Sequence, residues 1–271
     1  MTVNPYFLTF ELLMYGLLAL SLYDAHGRGW HVVWQLLASV LFGIMLEWAT
    51  IRQLHAYHYG QFLIMIANEV PLAIGVGWGV IIYAARLYAN ATSLPRWARP
   101  LLAALLALSV DLSMDAIAIR LGMWDWGRGL DFQYFGVPWA NFWAWFWVVT
   151  FFSAGLWLLA DGKSAVSRWL GPAGALLLGV SGVLLTNDII VYVVPQAWQT
   201  TVIAVTILGT LALTLALHPR ISSRPLPAPA RWTPLIFHLF FLTAGAISGV
   251  IFHPPLLLAV SLSIFGIAWT R

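Results

Sequence analysis

Eight apolar segments of similar length, separated by short polar connections, constrain this chain more than any other feature. They run at roughly 6–23, 31–50, 63–86, 100–122, 138–160, 169–191, 197–217 and 233–252, with a shorter run at 255–270. Each of the eight is close to the ~20 residues that a helix needs to cross a bilayer. Inside lipid a segment must satisfy its own backbone hydrogen bonds, so a chain of such segments folds as a bundle of helices. Only 8% of the residues are charged, against about 25% in soluble domains. The expected fold is therefore all-α, a polytopic transmembrane bundle of about eight spans. His253-Pro254-Pro255 sets the last run apart, and it becomes a ninth span only if it crosses. The first segment holds Glu11 and has no basic stretch before it, which reads as a retained helix and not a cleaved leader.

The basic residues orient the bundle. If the segments alternate, one side carries Arg28, Arg86, Arg96, Arg99, Lys163, Arg168, Arg220, Arg224 and Arg231, and the other only Arg52, Arg120 and Arg128. The richer side is expected in the cytoplasm, with the N-terminus outside. With a ninth crossing, the C-terminus is cytoplasmic. The connection HPRISSRPLPAPAR, 218–231, reads as a linker between a main transmembrane bundle at 1–217 and C-terminal transmembrane helices at 232–271. Thirteen basic and ten acidic residues are too few and too scattered for a nucleic-acid partner. With no cysteine, disulfides and thiolate metal sites are excluded.

Six carboxylates fall in or beside the spans: Glu11, Glu47, Glu69, Asp111, Asp115 and Asp188, all on the expected outer half. An acid in lipid costs ~2.5–3.5 kcal/mol even on lenient insertion scales, so each is a functional candidate by default, and six at one depth suggest one cavity. Asp111 and Asp115 lie one turn apart on one helix face, at ~5–6 Å. Two carboxyls that close in an apolar site cannot both ionise easily, which would leave one protonated beside one anion, a pairing suited to general-acid chemistry. A structural reading stands beside it, with each acid locked to Arg120, His55 or His58. His55 and His58 could also join the acids around a metal, but the His-x-x-His spacing is a weak signal and no metal is expected.

The chain has 16 tryptophans, and Trp124, Trp126, Trp139, Trp143, Trp145 and Trp147 crowd the segment that follows the paired acids. An interfacial belt accounts for Trp143 and Trp147 as well as a cavity wall does. The remainder suits the walls of a cavity for a long conjugated ligand, and aromatic faces also stabilise a cation held against them. A proton donor, a carboxylate and aromatic walls open to lipid together meet the needs of alkene protonation, which points to an isoprenoid lipid substrate. A proton-coupled carrier would show similar midplane acids. It would more often carry paired internal repeats, and none is evident. Gly75-x-Gly77-x-Gly79 and Gly179-x-x-Gly182 fit close helix packing better.

Several motifs then carry a family resemblance over about 40–195. They are Glu47 with the following HAYHYGQF, Val70-Pro71-Leu72 with Trp78, Asp111-x-x-x-Asp115 with Gly122-x-Trp124-x-Trp126, and above all Tyr134-Phe135-Gly136-Val137-Pro138-x-x-Asn141-Phe142-x-x-Trp145. Together they resemble the membrane carotenoid hydratases of the bisanhydrobacterioruberin and gamma-carotene type. Ala144 and Ala116 stand where that family has glycine and often proline.

The resemblance implies that water adds across the terminal isopropylidene double bond of an acyclic carotenoid, without a cofactor, in a prokaryotic cell membrane. Other enzymes of carotenoid synthesis are implied as neighbours. On this reading Asp115 or Asp111 protonates the alkene, the tertiary cation rests against Trp124, Trp126 or Tyr134, and Glu47, His58 or Asn141 positions the water. Trp78, Pro138, Trp145, Glu69 and Tyr57 complete the expected substrate site. Two alternatives remain open: a membrane lycopene-type cyclase, in which an internal double bond captures the same cation, and a carotenoid- or quinone-binding protein or carrier without chemistry.

Overall fold

The computed structural model describes residues 4–162 and 164–269, so Lys163 lies outside the described residues. These residues form nine α-helices: α1 (Pro5–Arg28), α2 (Trp30–Leu54), α3 (Leu72–Asn90), α4 (Arg99–Arg120), α5 (Trp139–Gly155), α6 (Ala165–Asp188), α7 (Gln196–Ala216), α8 (Ala228–Ser248) and α9 (Pro255–Trp269). The first eight are long and apolar enough to cross a membrane, α5 with the help of the π-helical turn at Leu156–Ala160, while a second such turn at Ile189–Val193 lengthens α6. The chain is an all-α polytopic bundle.

Expected and observed spans differ most at the third. Residues 63–71 were apolar enough to join it, yet they fold as a hairpin of β2 (Met65–Ile66) and β3 (Val70–Pro71). Ala67 and Asn68 take left-handed backbone at its tip. Pro71, placed before Leu72, starts the helix there because its fixed φ suits an N-terminus and its missing N–H costs nothing.

Helix α3 is the axis of the bundle, packed by α1, α2, α4 and α8. It approaches α2 closely through glycines: a Cβ on Gly75 would lie 2.2 Å from Ile44 Cγ1, and one on Gly79 would lie 2.4 Å from Val40 Cγ2. Gly179 and Gly182 meet Phe42 and Phe151 in the same way. These glycines let backbones approach closely where lipid supplies no hydrophobic drive. Helix α7 is the most peripheral span, with 11% of its most apolar window buried.

Helix α8 lies in the core against α1, α3 and α4, and buries Phe237 and Phe241. The preceding connection is pinned to the α3–α4 loop. Ser93 N donates to Arg220 O at 2.9 Å, Arg220 N to Ser93 Oγ at 3.0 Å and Ser222 N to Ala91 O at 2.8 Å.

Candidate functional site

Two loops build the site at the end of the bundle that holds the start of α1. The strand β1 (His58–Tyr59) pairs antiparallel with β4 (Trp124–Asp125), placing Tyr59 opposite Trp124. In the extended run Tyr57-His58-Tyr59 alternate residues share a face, so both tyrosines turn inward onto α2. Tyr57 Oη donates to Glu47 Oε2 at 2.5 Å and Tyr59 Oη to the same oxygen at 2.7 Å. Trp78 Nε1, from α3, donates to Glu47 Oε1 at 2.6 Å. Three donors hold Glu47 as an acceptor. Burial first, and the Glu47 carboxyl second, push both phenols well above their ordinary value of 10, so they remain hydroxyl donors.

The second half comes from α4 and α5. Gly136 takes φ +90°, and a Cβ there would lie 2.7 Å from Ile119 Cδ1, so the Gly-Val-Pro turn requires glycine. Pro138 opens α5, and Gln133 Oε1 accepts Trp139 N at 2.6 Å in place of a side-chain cap from the helix itself. Asn141 therefore sits in the first turn, facing α4. Its Nδ2 donates to Asp111 Oδ2 at 3.0 Å and to Asp115 Oδ2 at 2.8 Å, so that one amide bridges both acids. All three side chains are buried.

Between these halves lies a cavity of about 860 Å³. Asp115, Glu47 and Asn141 face it. Asp111 is fully buried behind Asp115 and does not line the cavity. Trp78 and Trp145 pack with tilted rings at 4.2 Å between centroids on the inner wall, and Tyr57 meets Trp126 at 4.7 Å nearer the mouth. Trp124 and Pro138 also line it. The indole N–H of Trp126 is buried and makes no hydrogen bond within the described structure. Asp125, Arg128, Gln133, Gln196 and Gln199 line the same cavity and make its rim polar. Exposed His58 lies at that rim.

Other expected members are placed elsewhere. Glu69 is ion-paired with Arg52, at 2.5 Å, outside the cavity wall. Tyr134 does not line the cavity either. Its Oη donates to Leu112 O at 2.7 Å while its ring packs on Trp139 and Phe142, so it braces α4 against α5. The six acids do not share one cavity. Glu11 accepts the backbone N–H groups of Leu63 at 2.7 Å and Ile64 at 3.2 Å, anchoring the β2–β3 hairpin to α1. Asp188 accepts Gln53 Nε2 at 2.8 Å.

The structural reading of Arg120 is also corrected. It pairs with neither Asp111 nor Asp115 but donates to four carbonyls, of Phe135 at 2.6 Å, Ala116 at 2.9 Å, Leu130 at 3.1 Å and His253 at 3.3 Å. Trp143 is buried, with Nε1 donating to Thr186 O at 3.1 Å, and ties α5 to α6 and not to an interfacial belt.

Sequence reasoning missed Tyr59, although its spacing from Tyr57 in an extended run could have pointed to it. It also missed Asn187, Gln196, Gln199 and Phe237, whose positions depend on how α6, α7 and α8 close the cavity.

A model of the family described as carotenoid biosynthesis protein matches residues 6–215 of this chain. No curated protein and no solved structure matches it.

Proposed function

The chain belongs to the carotenoid biosynthesis protein family, and from that premise we propose that it is a hydratase, adding water to the terminal double bond of an acyclic carotenoid end. The observation that carries this reading is a cavity in which one acid, Asp115, faces an aromatic wall while the mouth is polar. The wall suits a conjugated hydrocarbon and the mouth admits water. A cyclase would be better served by a dry end.

The reaction balances with water alone. Asp115 transfers its proton to the CH carbon of the terminal alkene, whose π electrons form the new C–H bond and leave a tertiary cation on the carbon that bears two methyl groups. Trp78, Trp145 and Trp126 line the cavity there, and an aromatic face against a desolvated cation stabilises it by about 2 kcal/mol. Water from the mouth attacks the cation and forms the C–O bond. The proton it sheds returns to the Asp115 carboxylate, directly or through water, leaving a tertiary alcohol. Microscopic reversibility allows the same site to dehydrate the alcohol.

Asn141 holds the acid in register, and Asp111 sits behind it as the second carboxyl on the same amide. Glu47, clamped by three donors, contributes a fixed acceptor across the cavity. With both protons of its amide engaged, Asn141 can offer water only its carbonyl oxygen. The asymmetry of basic residues favours the cavity end as the outer face, with the N-terminus outside.

The test is expression in cells that accumulate lycopene, with the extracted pigments analysed by mass. A gain of one water supports hydration. A cyclic isomer of unchanged mass would replace this reading with the cyclase, and unchanged pigment would favour a binding protein.

A further inference from the structure

A second polar pocket, of about 190 Å³, lies at the opposite end of the bundle from the carotenoid cavity. Its wall brings together Arg86 and Asn90 from the last turns of α3, Arg96 from the following loop, Arg99 and Pro100 from the start of α4, and Ser153 and Asp161 from α5 and its continuation. Among the described residues that line it, three arginines face one carboxylate.

That carboxylate does not neutralise the pocket. Arg86 Nη2 lies 3.6 Å from Asp161 Oδ1, and Arg86 Nη1 donates to Gln35 Oε1 at 3.4 Å. Arg99 is held by its Nε bond to Leu94 O at 3.0 Å, with Nη1 at 3.5 Å from Asn90 Oδ1. Arg96 is exposed and has no hydrogen bond or ion pair to the described residues. Helix α4 begins here without a side-chain cap, so its first free N–H groups and the positive end of its dipole add to the arginines.

An independent observation points the same way. Ser153 is 2% exposed and lines this pocket, and its hydroxyl has no partner within the described structure. The loop that carries Arg96 is held in place by the bonds between Ser93 and Arg220 and between Ala91 and Ser222.

We propose that this pocket binds the phosphate group of an anionic membrane phospholipid. Guanidinium groups match phosphate oxygens with several parallel donors, and basic pockets between spans at a membrane face suit acidic headgroups. The lipid is favoured over a soluble phosphate because Trp97, beside Arg96, is 49% exposed. An exposed indole at the end of a span places the pocket at headgroup depth.

The experiment uses the full chain in neutral detergent and follows thermal unfolding on addition of phosphatidylglycerol, phosphatidylcholine or inorganic phosphate at equal concentrations. Phosphatidylglycerol should raise the melting temperature by about 4 °C and phosphatidylcholine should not. Arg96→Gln should melt like the parent without lipid and lose most of the rise, and Arg96→Lys should keep much of it. Inorganic phosphate that reproduces the full rise, and loses it in R96Q, would overturn the lipid as the source and assign a soluble phosphate. A rise with phosphatidylcholine equal to that with phosphatidylglycerol, or one undiminished in R96Q, would overturn the site. Pigment conversion is not read, so this outcome and that of the hydratase reading are separate.

Discussion

The amide of Asn141 lies 2.8 Å from the Asp115 carboxylate and gives its other proton to Asp111, so a residue in the first turn of α5 fixes the acid that faces the cavity. From the sequence, Asn141 is expected to help position water. Its geometry makes it a positioning residue for the acid pair.

Asn141→Ala should therefore lower stability and activity together. Two buried carboxyls would lose their shared donor, at a cost of about 2 kcal/mol. Asn141→Asp, which puts a third acid in the same place, should be worse than alanine. The check is thermal unfolding alongside pigment conversion. Stability unchanged in both variants would contradict the clamp.

Tyr57 and Tyr59 tie stability to pH. Their folded pKa values stand well above the ordinary 10 because burial disfavours the phenolates. A raised folded pKa means that the stabilisation is fully present below about pH 10 and is lost as pH rises past it. A paired Tyr57→Phe, Tyr59→Phe variant should be less stable at pH 8 but lose less further stability between pH 9 and 11 (pH values set by the ordinary phenol pKa of about 10). Parallel pH curves for parent and variant would refute this.

The spans were legible because a period of apolar segments near 20 residues has few solutions in lipid. The start of α3 was not, since the hairpin at 65–71 is as apolar as a helix and only Asn68 and Pro71 hint at the break. Within the site, the one-turn spacing of Asp111 and Asp115 located the acids but could not tell which faces the cavity. That depends on the rotation of α4 against α5, which Arg120 and Tyr134 help to set through backbone carbonyls distant in sequence. Glu69 misled because an acid near a span end reads alike whether it lines a cavity or pairs with Arg52 on the surface.

Arg120 ties together the loops at the cavity end of the bundle and does not itself line the cavity. Arg120→Ala should destabilise the protein by about 3 kcal/mol, because four carbonyls lose a charged donor. Lysine should rescue part of that, having one point of charge in place of a fork. Thermal unfolding in detergent checks it, and a variant that melts with the parent would show that the loops are held by packing alone.

Gly75→Ala should separate α2 from α3, since the added Cβ would meet Ile44 Cγ1 at 2.2 Å. Such overpacking costs about 1–3 kcal/mol. Gly77→Ala, with Met14 Sδ at 3.5 Å as its nearest neighbour, should be tolerated and only narrow the cavity. Equal melting temperatures for the two variants would contradict the packing assigned here.

The central claim, that Asp115 protonates the terminal alkene and water captures the cation, is tested most directly by converting an acyclic carotenoid in heavy water with the parent and with Asp115→Asn. The parent should give a tertiary alcohol that keeps one carbon-bound deuterium after washing in ordinary water. The variant should fall by at least about 100-fold while still binding pigment. An alcohol with no carbon-bound deuterium, or a D115N variant that converts pigment as fast as the parent, would contradict the account.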